Sequence, residues 1–122
     1  MILSQYASTL GSEAAASEMR LSITVDDRYL VQLLDRRDGR VLVRSRLMSL
    51  PPAGVERDTL IAKYARVACG RMLRAPVALS IDARERALWV QQVCVASNAQ
   101  ELDEHVGDFV NELAFWRSTV EV

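Results

Sequence analysis

A chain of 122 residues is expected to form one domain, residues 1–122, with a real but small core. It is 50% hydrophobic and 25% charged, which is ordinary globular usage, and a net charge of −1 argues against strong attraction to nucleic acid or anionic membrane. No stretch approaches the ~20 apolar residues that span a bilayer. Met1 to Leu10 lacks the basic start and apolar run of a secretory signal. The two cysteines, Cys69 and Cys94, do not make a disulfide scaffold, so the chain reads as cytoplasmic with reduced thiols.

In chain order, Ile2, Leu3, Tyr6, Leu10 and Ala14 fall at helical spacing. The run Ala14–Ala16 favours helix, and Gly11 and Ser12 weaken it. This apolar stripe is narrow, as suits a helix lying on the edge of a sheet. Arg20 to Val25 alternates, with Leu21, Ile23 and Val25 on one face, and reads as a half-buried strand. Asp26-Asp27-Arg28 is a polar turn. Tyr29 to Leu34 is a second strand with Tyr29, Val31 and Leu33 on one face and Leu30 and Leu34 on the other. A strand apolar on both faces is expected to be covered on both. Arg36-Arg37-Asp38-Gly39 is a hairpin turn. Arg40 to Leu47 is a third strand, with Val41 and Val43 opposite Leu42, Arg44 and Arg46.

Pro51-Pro52 ends this meander, because proline cannot donate to a ladder. A second helix is predicted from Val55 to Leu73, closed by Ala75-Pro76. Its stripe is Leu60, Ile61, Tyr64, Ala65, Ala68 and Met72, with Val67 and Leu73 to the side. Val77 to Ile81 and Ala87 to Val95 form a second hairpin, with Leu79, Ile81, Leu88 and Val90 inward and Trp89 and Val93 on the opposite face. Asn98 with Glu101 marks the start of a last helix, along which Leu102, Val106, Phe109, Val110, Leu113 and Trp116 recur. The fold expected is α+β: helix, three strands, helix, two strands, helix, an antiparallel sheet with helices packed on it.

Chemistry is sparse. Tetrahedral zinc takes about four nitrogen or sulfur ligands, and this chain offers His105, Cys69 and Cys94, far apart in sequence. His105 reads as a solvated surface residue and the cysteines as small buried fillers. No glycine-rich phosphate loop occurs. The meander arginines would need exposed aromatics to bind RNA, and only Tyr29 is there. No cofactor, metal or catalytic residue is therefore expected. What stands out is surplus apolar surface: both faces of the second strand, and Trp89 facing away from Leu88 and Val90. Three helices are too few to cover both faces of a five-stranded sheet, so another chain should cover the remainder.

The order and length of these elements resemble the class I chaperones of bacterial type III secretion, the Tir-chaperone family. Leu47-Met48-Ser49-Leu50-Pro51-Pro52 resembles that family's approach to its middle helix. Val77 to Asp82 with Ala87-Leu88-Trp89-Val90 resembles its late hairpin, and Phe109 with Trp116 its last helix. This chain departs in being nearly neutral and in having Asp82 to Arg86, without glycine, in the late turn. The resemblance implies a non-enzymatic homodimer that holds the N-terminal region of a secreted effector as an extended segment. Other non-enzymatic α/β adaptors (YbjN-like) and a small enzyme using Cys94 or His105 are the alternatives. The expected effector-binding residues are Leu3, Tyr6, Leu10, Ile23, Leu30 and Leu34, with a client strand added beside Leu21 to Val25. The competing expectation is that these residues pack inside one subunit. The expected dimer interface is Tyr64, Ala68, Val77, Leu79 and Trp89.

Overall fold

The computed structural model describes residues 2–10, 14–17, 20–74 and 76–120, and for residues 9, 10 and 14–17 only the backbone. The elements run α1 (Ile2–Leu10), β1 (Ala14–Ser17), β2 (Arg20–Val25), β3 (Tyr29–Asp35), β4 (Arg40–Ser49), α2 (Val55–Arg71), β5 (Ala78–Asp82), β6 (Ala87–Val95) and α3 (Ala99–Val120). Every strand pairing is antiparallel, in the order β1-β2-β3-β4-β6-β5. The α+β architecture is the one expected, with one strand more.

That strand is a correction. Ala14–Ala16 were read as helical, yet they form β1, in register Ala14↔Ile23 to Ser17↔Arg20. A short alanine run cannot bear the cost of nucleating a helix by itself, whereas the edge of β2 offers ready backbone partners. It follows that a client strand cannot add beside Leu21 to Ile23 while β1 is in place. Gly11 and Ser12 lie outside the described residues.

The turns follow from local chemistry. Asp26 and Asp27 both adopt φ of 54°, and the Arg28 N–H donates to the Val25 carbonyl at 3.1 Å, closing a tight turn within the three-residue loop that joins the pair Val25↔Tyr29. Arg37, Asp38 and Gly39 all have positive φ in the next turn. The Asn98 carboxamide caps α3 by accepting from the Glu101 N–H at 2.9 Å. The Glu101 carboxylate in turn accepts from the Ser97 N–H at 2.8 Å and from its hydroxyl at 3.1 Å. These bonds, the backbone one foremost, hold the Glu101 carboxyl below its ordinary range. Its contribution to the cap is present at neutral pH and is lost as pH falls through that lowered value.

The core lies on one face of the sheet. Leu21, Ile23, Val31, Leu33, Val41, Val43, Leu88 and Val90 pack in one cluster with Leu3 and Tyr6 of α1, Tyr64 of α2 and Leu102, Phe109, Leu113 and Trp116 of α3. Six apolar positions of α3 anticipated from sequence are all buried. For α2 the stripe is shifted. Leu60, Ile61, Tyr64, Val67 and Ala68 pack inward, while Ala65 and Met72 are exposed. Its next turn carries Arg71, whose guanidinium lies 3.8 Å from the Phe115 ring centre and bonds both oxygens of buried Glu112, at 2.9 and 2.7 Å. This bridge fastens α2 to α3. The α2 helix ends at Arg71 instead of Leu73, and Leu73 is fully exposed.

Candidate functional site: the bare face of the sheet

All three helices contribute to the core on the inner face. The register shows what the outer face presents. Leu34, Leu42 and Val93 form one row across β3, β4 and β6. Leu42 is 8% exposed, flanked by those two neighbours, yet it takes no part in the main core. The next row is Ser22, Gln32, Arg44, Gln91 and Ala78. The Arg44 Nε donates to Gln32 Oε1 at 3.0 Å, and its guanidinium sits 4.7 Å from the centre of the Trp89 ring. Beyond it, Leu30 is 54% exposed, and Val93 and Val95 are 56% and 68% exposed. Among the described residues, no helix lies over this face. Such an exposed apolar patch, fringed by Arg20, Arg40, Arg44 and Arg46, has the make-up of a binding surface.

The residues expected to bind an effector therefore divide. Leu3, Tyr6 and Ile23 are buried in the core, at 1%, 2% and 3% exposure. Tyr6 and Ile23 meet at a cleft of about 280 Å³ with Thr24, Asp103 and Val110. There the Tyr6 hydroxyl donates to Asp103 Oδ1 at 2.9 Å, and burial, aided by Asp103, pushes the phenol pKa up. The Leu10 side chain lies outside the described residues. Leu30 and Leu34 are on the opposite, outer face. No single groove holds the whole set. The five residues expected to form a dimer interface also divide: Tyr64 and Val77 are buried within the chain, and Ala68, Leu79 and Trp89 are half-buried. Leu42, Val95, Arg44 and Arg46 also lie on the outer face, and strict alternation with buried Val41 and Val43 identifies three of them.

Cys94 is buried, and burial, with the charge of Asp108, pushes its thiol pKa up. Cys69 is exposed. His105, read as freely solvated, is half-buried instead, its Nε2 lying 3.1 Å from the Val95 carbonyl and joining α3 to the end of β6. Among the described residues no group of three metal-ligating side chains occurs. Nor, among the described residues, is any helix long and apolar enough to cross a membrane. Cys69→Ser and His105→Ala should leave partner binding within a few fold, measured by titration calorimetry on variants whose melting curves match the parent.

The domain is thus an open antiparallel sheet with helices on one face and partly exposed apolar side chains on the other. The chain belongs to the Tir chaperone protein (CesT) family, whose model matches residues 1–117. Three solved structures share the fold. A chain from the HopA1-SchA chaperone–effector complex aligns with a TM-score of 0.64 at 16% identity, covering 96% of this chain and 91% of that one. The Yersinia pestis type III secretion chaperone SycH, solved in complex with a stable fragment of YscM2, gives 0.59 at 15% identity, covering 93% and 95%. The ExsC-ExsE complex gives 0.65 at 16% identity, covering 95% and 88%. A search of curated proteins finds no significant sequence match.

Proposed function

We propose that this chain is a cytoplasmic, non-enzymatic chaperone of type III secretion. It binds an extended segment near the N-terminus of a secreted effector and keeps that segment from folding. The observation that carries this reading is the apolar row Leu34–Leu42–Val93 on the outer face, open at Val93 and lying beside half-exposed Leu30, in a chain of the Tir-chaperone family. Such a face is poorly suited to water and well suited to the apolar side chains of an unfolded client. Family membership and a fold shared with chains solved in chaperone–effector complexes support the same reading. Co-expression with the N-terminal fragment of an effector should give a complex that stays together through gel filtration. A fragment that elutes separately, from a well-folded chaperone, would remove the basis for this function.

The working unit is proposed to be a homodimer. The sheet ends in the open edge of β5, and Val55 at the start of α2 and Met72 and Leu73 just past its end are exposed at 82%, 64% and 99%. Ala68, Leu79 and Trp89 lie on these two elements and on neighbouring β6. Sedimentation at micromolar concentration should return twice the 13.6 kDa of one chain. Trp89→Ala should weaken association by about 2 kcal/mol, the usual size for an interface aromatic. A clean monomer in the parent protein would rule the dimer out.

A further inference from the structure

We propose that the wedge where β3 and β4 part is an anchor site for an Asp or Glu side chain of an extended client segment, held between Arg46 and Arg117; this rests on the client-binding reading above. Pairing between the two strands stops at Gln32↔Arg44. Both strands continue past that point. β3 stays on β2 as far as Val25↔Tyr29, and β4 stays on β6 as far as Ser49↔Ala87. The register shift between Arg46 and Met48 is a bulge, which adds twist and turns β4 away.

The result is a cleft of about 360 Å³ between diverging strands, lined by Leu30, Ser45, Arg46, Leu47, Met48 and Arg117, with Ser49 at its end. At its apex the Ser45 hydroxyl donates to the Leu30 carbonyl at 2.7 Å, a side-chain bond where the ladder has ceased. Past it, the β3-facing edge of β4 from Arg46 to Ser49 has no strand beside it among the described residues. An exposed strand edge is a template for an incoming extended chain.

Two cations converge on this edge. One Arg117 Nη donates to the Arg46 carbonyl at 2.9 Å, and one Arg46 Nη donates to Ser49 Oγ at 2.9 Å. The Arg117 Nε is buried and has no partner. The lining holds no carboxylate, and among the described residues neither arginine forms an ion pair. Guanidinium groups match carboxylates in shape and charge, and such bonds are among the stronger ones in proteins. Leu30 and Met48 flank them with apolar surface. The occupant that fits is thus a short extended segment with one acidic side chain among apolar ones. Charge complementarity and the free edge select it over an uncharged strand.

The test uses two fluorescein-labelled hexapeptides on the full chain, acetyl-Thr-Val-Glu-Val-Thr-Val and the same peptide with Gln for Glu, followed by anisotropy. The acidic peptide should bind at least about tenfold more tightly. That preference should disappear in Arg117→Gln and in Arg46→Gln, the latter an exposed position whose change leaves the fold intact, and persist in Arg36→Gln, an exposed position on the β3–β4 turn at the opposite end of both strands. Equal binding of the two peptides, or a preference unchanged in both wedge variants, overturns the site. The double variant Arg46→Gln/Arg117→Gln separates this proposal from the one it rests on. If it forms the effector complex with undiminished affinity, the wedge is wrong and the chaperone reading stands. If the parent protein binds no effector fragment, the chaperone reading falls and the anchor on a client falls with it.

Discussion

Trp116→Ala should leave the chain barely folded at 37 °C. The indole is fully buried where α3 crosses the sheet. Removing it costs about 3–5 kcal/mol through lost burial and the cavity left behind. Small domains have only about 5–15 kcal/mol in hand. The loss should also spread. Trp116 meets Phe115 edge-to-face at 5.7 Å, and Phe115 supports the Arg71 guanidinium that reaches Glu112. Loosening that stack frees α2 from α3. Melting followed by circular dichroism should show a fall of more than about 10 °C. Trp116→Phe is the informative partner. The indole N–H is buried without a partner, so phenylalanine removes an unsatisfied donor as well as some volume. Its melting point should fall far less than that of the alanine variant. Equal falls would show that the ring's packing matters less than α3 having a large residue of one shape.

Leu30→Gln should do the opposite: leave stability alone and damage binding. At 54% exposure, outside the core cluster, Leu30 contributes little to the isolated fold, and its replacement should shift stability by less than about 0.5 kcal/mol. On a client-covered face the same change removes apolar contact and introduces an amide to be desolvated. A loss of about 2 kcal/mol, near thirtyfold in affinity, is expected. Leu33→Gln, three positions along the same strand and fully buried on its inner face, is the counter-case. It should unfold the domain, because an amide buried without partners is costly. Native affinity in a well-folded Leu30→Gln protein would remove Leu30 from the binding surface.

Period two and period 3.6 were enough to read most of this architecture. Leu21, Ile23, Val41, Val43, Leu88 and Val90 lie on the inner face as alternation requires, and the stripe of α3 is buried throughout. Alternation also separates Leu30 and Leu34 from Val31 and Leu33. What it cannot give is which neighbours share a face in space. Leu3, Tyr6 and Ile23 share adjacent elements with Leu30 and Leu34, which groups them in sequence; the sheet itself stands between the two sets. β1 was missed because alanine favours helix locally, while the edge of β2 decides the outcome. The wedge was illegible for a similar reason. It depends on where a ladder stops, which is set by a bulge in β4 and by Arg117, far along the chain in α3.

The proposed seat of the effector segment is the outer face of the sheet. A photo-reactive amino acid built into that face tests it directly, with the chaperone co-expressed with an effector's N-terminal fragment. Probes replacing Leu30 or Gln32, both on the outer face, should cross-link to the fragment, and a probe replacing exposed Glu104 on α3 should not. Cross-linking from Glu104 alone, with silence at Leu30 and Gln32 in a complex that is otherwise intact, would contradict the account.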